Sequence, residues 1–156
     1  MALSAHAAGI AANYVRVVNQ LPFGTAAGNI IRQIWTQRDL NLITDDDQGL
    51  ASLSLNTLTL APGTYRFNCL VPCDDVSYHQ SRLRDTTNAN IYLGNCVSSD
   101  VGSTETSTIN GRFTIATPAN FVIETITWIN GPLGQVVQSP GDPELYTILE
   151  FFEGQA

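Results

Sequence analysis

The strongest constraint on this chain is the stretch Asn56 to Val71, NTLTLAPGTYRFNCLV, where apolar and polar residues alternate on either side of a proline break. Leu58 and Leu60 alternate with Thr57 and Thr59. After Ala61-Pro62-Gly63-Thr64, Tyr65, Phe67, Cys69 and Val71 alternate with Arg66, Asn68 and Leu70. A period of two is the pattern of a strand with two unlike faces. Pro62 fixes φ as a turn requires and Gly63 can take the positive φ that follows, so the sequence predicts a hairpin in the middle of an antiparallel sheet.

The rest of the chain repeats this grammar. Tyr14 to Gln20, Ile30 to Trp35, Asp39 to Thr44, Ser77 to Asp85, Ile91 to Leu93, Arg112 to Ala116, Phe121 to Ile129 and Glu144 to Phe152 read as strands, and Gln135 to Gln138 as a brief one. Thr117-Pro118-Ala119-Asn120 repeats the proline turn, and Cys96 to Thr108 reads as a long polar loop. About eight or nine short strands, with turn residues roughly every ten positions and no sustained helical period, describe an all-β antiparallel sandwich or jelly roll. The alanine-rich residues 1–13 read as an N-terminal arm and residues 14–156 as one domain.

Charge narrows the partners. The seven basic residues are all arginine, against fourteen acids, for a net charge of -7. That balance argues against a grip on nucleic-acid phosphates or an anionic membrane. Arginine without lysine suits protein interfaces, although genomic composition would produce the same bias. No apolar run is long enough for a membrane helix, and the opening residues lack the basic start of a secretory signal. Synthesis and folding in a cytoplasm are expected.

Chemistry-bearing motifs are scarce. Cys69, Cys73 and Cys96 are not a disulfide framework: on one strand, Cys69 and Cys73 would stand about 13 Å apart, beyond the roughly 7 Å a bridge allows. They read as small buried apolar groups, and with His79 they make only a weak zinc pattern. Asp45-Asp46-Asp47 fails the calcium-loop spacing, because Gly49 falls fifth and Asn56 twelfth, and reads as a solvated turn. Glu124 and Glu150 could be imagined as a glycosidase pair, and Trp35, Trp128, Tyr78 and Tyr92 as a sugar platform; outward strand carboxylates and packed aromatics are the commoner use of both. No nucleophile, phosphate-loop or metalloprotease motif is present, so neither an enzyme nor a cofactor is expected.

Glu144 to Phe152 carries large apolar groups on both faces, with Leu145, Leu149 and Phe151 on one and Tyr146, Ile148 and Phe152 on the other. One face meets the core and the other needs a cover, which a symmetric oligomer supplies.

Five stretches taken together resemble a known domain: Trp35 to Asn41 (WTQRDLN), Leu58 to Arg66 (LTLAPGTYR), His79 to Leu83 (HQSRL), Gly111 to Ile115 (GRFTI) and Glu144 to Ile148 (ELYTI). In order and spacing they are similar to the C1q/TNF-like jelly-roll domain of bacteriophage tail-fibre tips and virions, from about Tyr14 to Glu153. The resemblance implies a homotrimer whose inner sheets face a threefold axis, and Tyr65, Phe67, Tyr146, Ile148 and Phe152 are the candidate interface. Only a short arm precedes the domain where a fibre tip would have a stalk. The expectation is therefore a virion structural protein, a capsid decoration (cement) protein clamping the major capsid protein, with Leu3, Ile10 and Tyr14 as anchoring residues. The alternative is a receptor-binding fibre tip, joined to a tail adaptor, whose loops 96–108 and 130–142 recognise a host-surface glycan.

Overall fold

The computed structural model describes residues 13–100, 102–135 and 141–154. Among them there is no helix. In chain order the strands are β1 (Asn13–Leu21), β2 (Asn29–Ile30), β3 (Thr36–Gln37), β4 (Leu42–Asp46), β5 (Ala51–Ser54), β6 (Thr57–Leu60), β7 (Gly63–Asp74), β8 (Ser77–Asp85), β9 (Asn90–Leu93), β10 (Val97–Ser99), β11 (Thr104–Ile115), β12 (Ala119–Thr127), β13 (Gly131–Pro132) and β14 (Glu144–Glu153). A five-stranded sheet runs β11-β7-β14-β1-β4, and a seven-stranded sheet runs β10-β8-β12-β6-β5, with β9 also on β8 and β3 on β12. Every pairing is antiparallel.

The stretch around Pro62 is not a hairpin. β6 pairs with β5 and β12 in one sheet, and β7 pairs with β11 and β14 in the other. Pro62 therefore turns a corner between sheets, and Pro118 does the same between β11 and β12. Gly63 is needed for a different reason from the one expected. Its φ is not positive. A Cβ there would stand 3.0 Å from Glu153 Cγ and 3.1 Å from the Tyr65 ring, so the position is kept open for the crossing of β14.

Inward-facing residues of the long strands build the core. Tyr65, Phe67, Phe113, Phe121 and Phe151 join aliphatic residues such as Val15, Leu58, Ile109 and Leu149. Phe113 of β11 stacks on Phe121 of β12 with ring centroids 4.8 Å apart, tying the two sheets together. Tyr65 and Phe67 each lie about 5.5 Å from Phe113, and aromatic pairs of this kind add about 0.5–1.5 kcal/mol each beyond area burial. A smaller cluster of Ala27, Ile30, Cys73, Val76, Leu133 and Tyr146 fills one end of the sandwich.

A register shift between Val18 and Gln20 places an extra residue in β14: Val18 faces Ile148, but Gln20 faces Leu145. This bulge breaks the period of two, so Tyr146 and Thr147 are both buried. Strict alternation would have sent Tyr146 to the same side as Ile148 and Phe152. Asn13 already pairs with Glu153 and belongs to β1, while residues 1–12 of the expected arm lie outside the described residues.

Candidate interaction surfaces

The outer face of the five-stranded sheet is organised in rows across the strands. One row is Leu42, Val18, Ile148, Leu70 and Thr108. The next is Asp45, Arg16, Glu150, Asn68 and Asn110, and the third is Tyr14, Phe152, Arg66 and Arg112. An apolar row thus lies beside a polar one and then a mixed aromatic and cationic one. In the third row, Tyr14 and Phe152 have ring centroids 5.2 Å apart and Arg66 lies 5.9 Å over the Phe152 ring. Tyr14 donates its hydroxyl to Glu150 at 2.7 Å, linking the rows. Burial and the Glu150 carboxylate push the Tyr14 phenol up to about 12, so it stays a donor across the physiological range.

Of the candidate interface residues, Ile148 and Phe152 are half-buried on this outer face. Tyr65 and Phe67 occupy the inward positions of β7 and fill the protomer's own core. Tyr146 is turned by the bulge into the smaller cluster, where its hydroxyl donates to the Thr25 carbonyl at 2.8 Å. That leaves Ile148 and Phe152, with Tyr14 alongside, for a neighbour to touch. Tyr14 is half-buried, and the other candidate anchors, Leu3 and Ile10, lie outside the described residues.

The outer face of the seven-stranded sheet has another character. Glu124 sits opposite Arg82 and accepts from it at 2.6 Å, and it accepts from Arg84 at 2.9 and 3.2 Å. Arg82 in turn lies 4.1 Å over the Trp35 ring, a distance at which the ring quadrupole attracts the cation. Around this network, Tyr78, Trp128, Ile91 and Leu93 are more than half exposed. Tyr78 and Trp128 flank a surface groove of about 280 Å³ lined also by Gln33, Gln80, Cys96 and Ile126. The backbone N–H of Trp128 donates to the Tyr78 carbonyl at 2.9 Å, which fixes the two strands side by side. The sugar platform imagined from the sequence is thus reduced to two members. Trp35 is taken up by Arg82, and Tyr92 packs against Phe67 and Phe113.

Glu124 and Glu150 stand on different sheets, both outward, each engaged by its own partners. They lie on opposite sides of the sandwich and cannot flank one glycosidic bond. Cys69 and Cys73 are buried free thiols and Cys96 is exposed. Among the described residues no cluster of histidine, cysteine or acid has the makings of a metal site. The acidic turn is more structured than solvated: Asp46 accepts from the backbone N–H groups of Leu50 and Ala51 at 2.7 and 3.0 Å, and Asp47 from that of Tyr14 at 3.2 Å. The loop expected at 96–108 holds β10 and the first half of β11, and residues 136–140 of the second loop lie outside the described set.

The strand order and the two-sheet sandwich define a C1q/TNF-like jelly roll. Solved structures with the same fold include the globular domain of zebrafish complement 1qA protein, with 14% identity, a TM-score of 0.55, and coverage of 92% of this chain and 98% of that one. Murine APRIL at pH 8.0 matches with 11% identity, a TM-score of 0.61, and coverage of 90% of this chain and 98% of that one. No protein-family profile matches the chain. No curated protein matches it either.

Proposed function

We propose that this chain is a non-catalytic, self-associating structural protein of a bacteriophage virion: a homotrimeric capsid decoration protein whose five-stranded sheets face a common axis. The observation that carries the reading is the apolar row of Leu42, Ile148 and Leu70 across that sheet, with Tyr14, Phe152 and Arg66 one polar row beyond it. Side chains of this kind on a sheet face are what a symmetric partner covers. The phage assignment rests on the resemblance of five sequence stretches to virion jelly rolls. β1 starts beside the Tyr14–Phe152 row, at the rim of this same face, and the proposed anchors Leu3 and Ile10 precede it in sequence. A trimer whose arms reach into the shell would add binding free energy to the assembled capsid alone and so resist its rupture.

Light scattering at micromolar concentration tests the assembly, with a trimeric mass expected and a monomeric mass refuting it. Cryo-EM of particles carrying the protein tests the location. Density at capsid threefold or quasi-threefold positions, with the N-terminal segment entering the shell, is the expected result.

One observation favours a second reading, a receptor-binding tip that recognises a host-surface glycan. Trp128 and Tyr78 present exposed rings beside the amides Gln33 and Gln80, a pairing of apolar platform and hydrogen-bonding groups that suits a sugar ring. Density confined to the tail, together with glycan-array binding lost in Trp128→Ala, would establish that role over decoration.

A further inference from the structure

The seven arginines of the chain are unequally satisfied. Arg82 and Arg84 share Glu124, Arg38 is 1% exposed and donates to the Leu133 carbonyl at 3.0 Å, and Arg16 donates to the Thr44 hydroxyl at 3.3 Å. The side chains of Arg66 and Arg112 make no hydrogen bond or ion pair among the described residues, and Arg66 has only the Phe152 ring, 5.9 Å away. Both are exposed, and they are directly paired on β7 and β11. Like charges facing each other across a strand pair repel, so within one protomer the placement is unfavourable. Glu150 and Glu153, on either side of Phe152, are engaged toward β1: the first accepts from the Tyr14 hydroxyl at 2.7 Å and the second from the Asn13 amide at 2.9 Å.

The same row has the opposite sign at its other end. Asp47, just past β4, exchanges two hydrogen bonds with Tyr14. Its backbone N–H donates to the Tyr14 carbonyl and its carboxylate accepts from the Tyr14 N–H, both at 3.2 Å. Asp45 stands one row away, opposite Arg16. Both aspartates are exposed. The row therefore runs Asp47, Tyr14, Phe152, Arg66, Arg112, with acid at one edge of the sheet, rings in the middle and cations at the other edge. Four strand spacings of about 4.8 Å put its ends roughly 19 Å apart, more than twice the ~8 Å screening length of physiological salt. The ends cannot neutralise each other within a protomer.

We propose that they do so between protomers: Arg66 and Arg112 of one copy pair with Asp47 and Asp45 of the next, and this head-to-tail contact closes the trimer. The inference rests on the trimeric reading above. Rows run perpendicular to the strands, so an axis parallel to the strands keeps every row at its own height. Rotation about that axis brings the cationic end of the row to the acidic end of the same row in the next copy, which is the heterologous contact a closed ring requires. Guanidinium forks match carboxylates, and the sign pattern opposes any assembly that sets like edges together.

Sedimentation of the full chain over a range of salt concentrations tests the pairing, with Arg112→Asp, Asp47→Arg and the exchange of both in one chain. The wild type is expected to form a trimer whose half-assembly concentration rises with salt. Each single reversal should raise that concentration at least ~10-fold, and the exchange should restore it. Asp47 also holds the Tyr14 N–H, so Asp45→Arg takes its place if Asp47→Arg fails to fold. A wild-type trimer that Arg112→Asp leaves intact, or that the exchange does not restore, overturns the pairing and leaves the trimer standing. A monomeric wild type refutes the trimer itself and the pairing with it.

Discussion

On the outer face of the five-stranded sheet the large side chains lie against one another, Tyr14 on Phe152 and Arg66 over both the sheet and the Phe152 ring. On the seven-stranded sheet they stand apart, with Tyr78, Trp128, Ile91 and Leu93 projecting around a closed network of Glu124, Arg82, Arg84 and Trp35. The first arrangement is a broad, shallow surface, the one that meets a copy of itself in the proposed trimer. The second keeps its charges neutralised internally and leaves rings free to seize something smaller. On the proposed reading the sandwich divides its labour, one sheet for assembly and the other for recognition.

The comparison is broken most severely from below, where both sheets share an interior. The His79 imidazole is lowered from 6.5 to about 4 by burial first and by Arg38 second. The unfolded chain takes up the proton that the fold refuses. Stability is therefore full above pH 6.5 and is lost as the pH falls toward 4, by roughly 3 kcal/mol over that range. Urea melts across it should show the loss, and His79→Gln should flatten the curve if this residue is its source. Next in size, Glu124→Gln leaves Arg82 and Arg84 without their carboxylate and should cost about 2 kcal/mol in thermal melts without altering the assembled mass. A changed mass would mean that the two faces are not independent.

Ile148→Asp should shift protomer stability by less than about 1 kcal/mol yet weaken self-association at least ~100-fold by sedimentation. An unaltered sedimentation profile would remove the five-stranded face from the interface. The smallest effect belongs to Trp128→Ala, within about 0.5 kcal/mol in denaturation and neutral in assembly. Only a ligand-binding assay should detect it, which makes it the cleanest separator of the two faces.

Sequence pattern carried the fold far because the long strands β7, β8 and β11 each have one wetter and one dry side. In β7 the alternation of Tyr65, Phe67, Cys69 and Val71 translates directly into burial. The pattern was mute where the period failed. The bulge that redirects Tyr146 is set by the register of β1 against β14, which no local residue announces. The first half of β11 hid as a polar loop because its inward positions there include Ser107. Proline turns could not say whether they close a hairpin or change sheets, since both need the same fixed φ. Of the two faces, the Arg82–Glu124–Arg84 network had a visible signal, arginines two apart on a strand and a glutamate on another. The burial of Arg38 had none.

The place of β14 has a consequence for birth rather than for assembly. It lies between β1 and β7, the first strand and one from the middle of the chain, so a nascent protein holds both with an open slot between them. Until β14 is made, two apolar strand edges face each other across a gap that any other extended peptide could fill. A ribosome making many copies side by side would expose that slot repeatedly, and in the proposed trimer the sheet that joins one subunit to the next is also the one completed last.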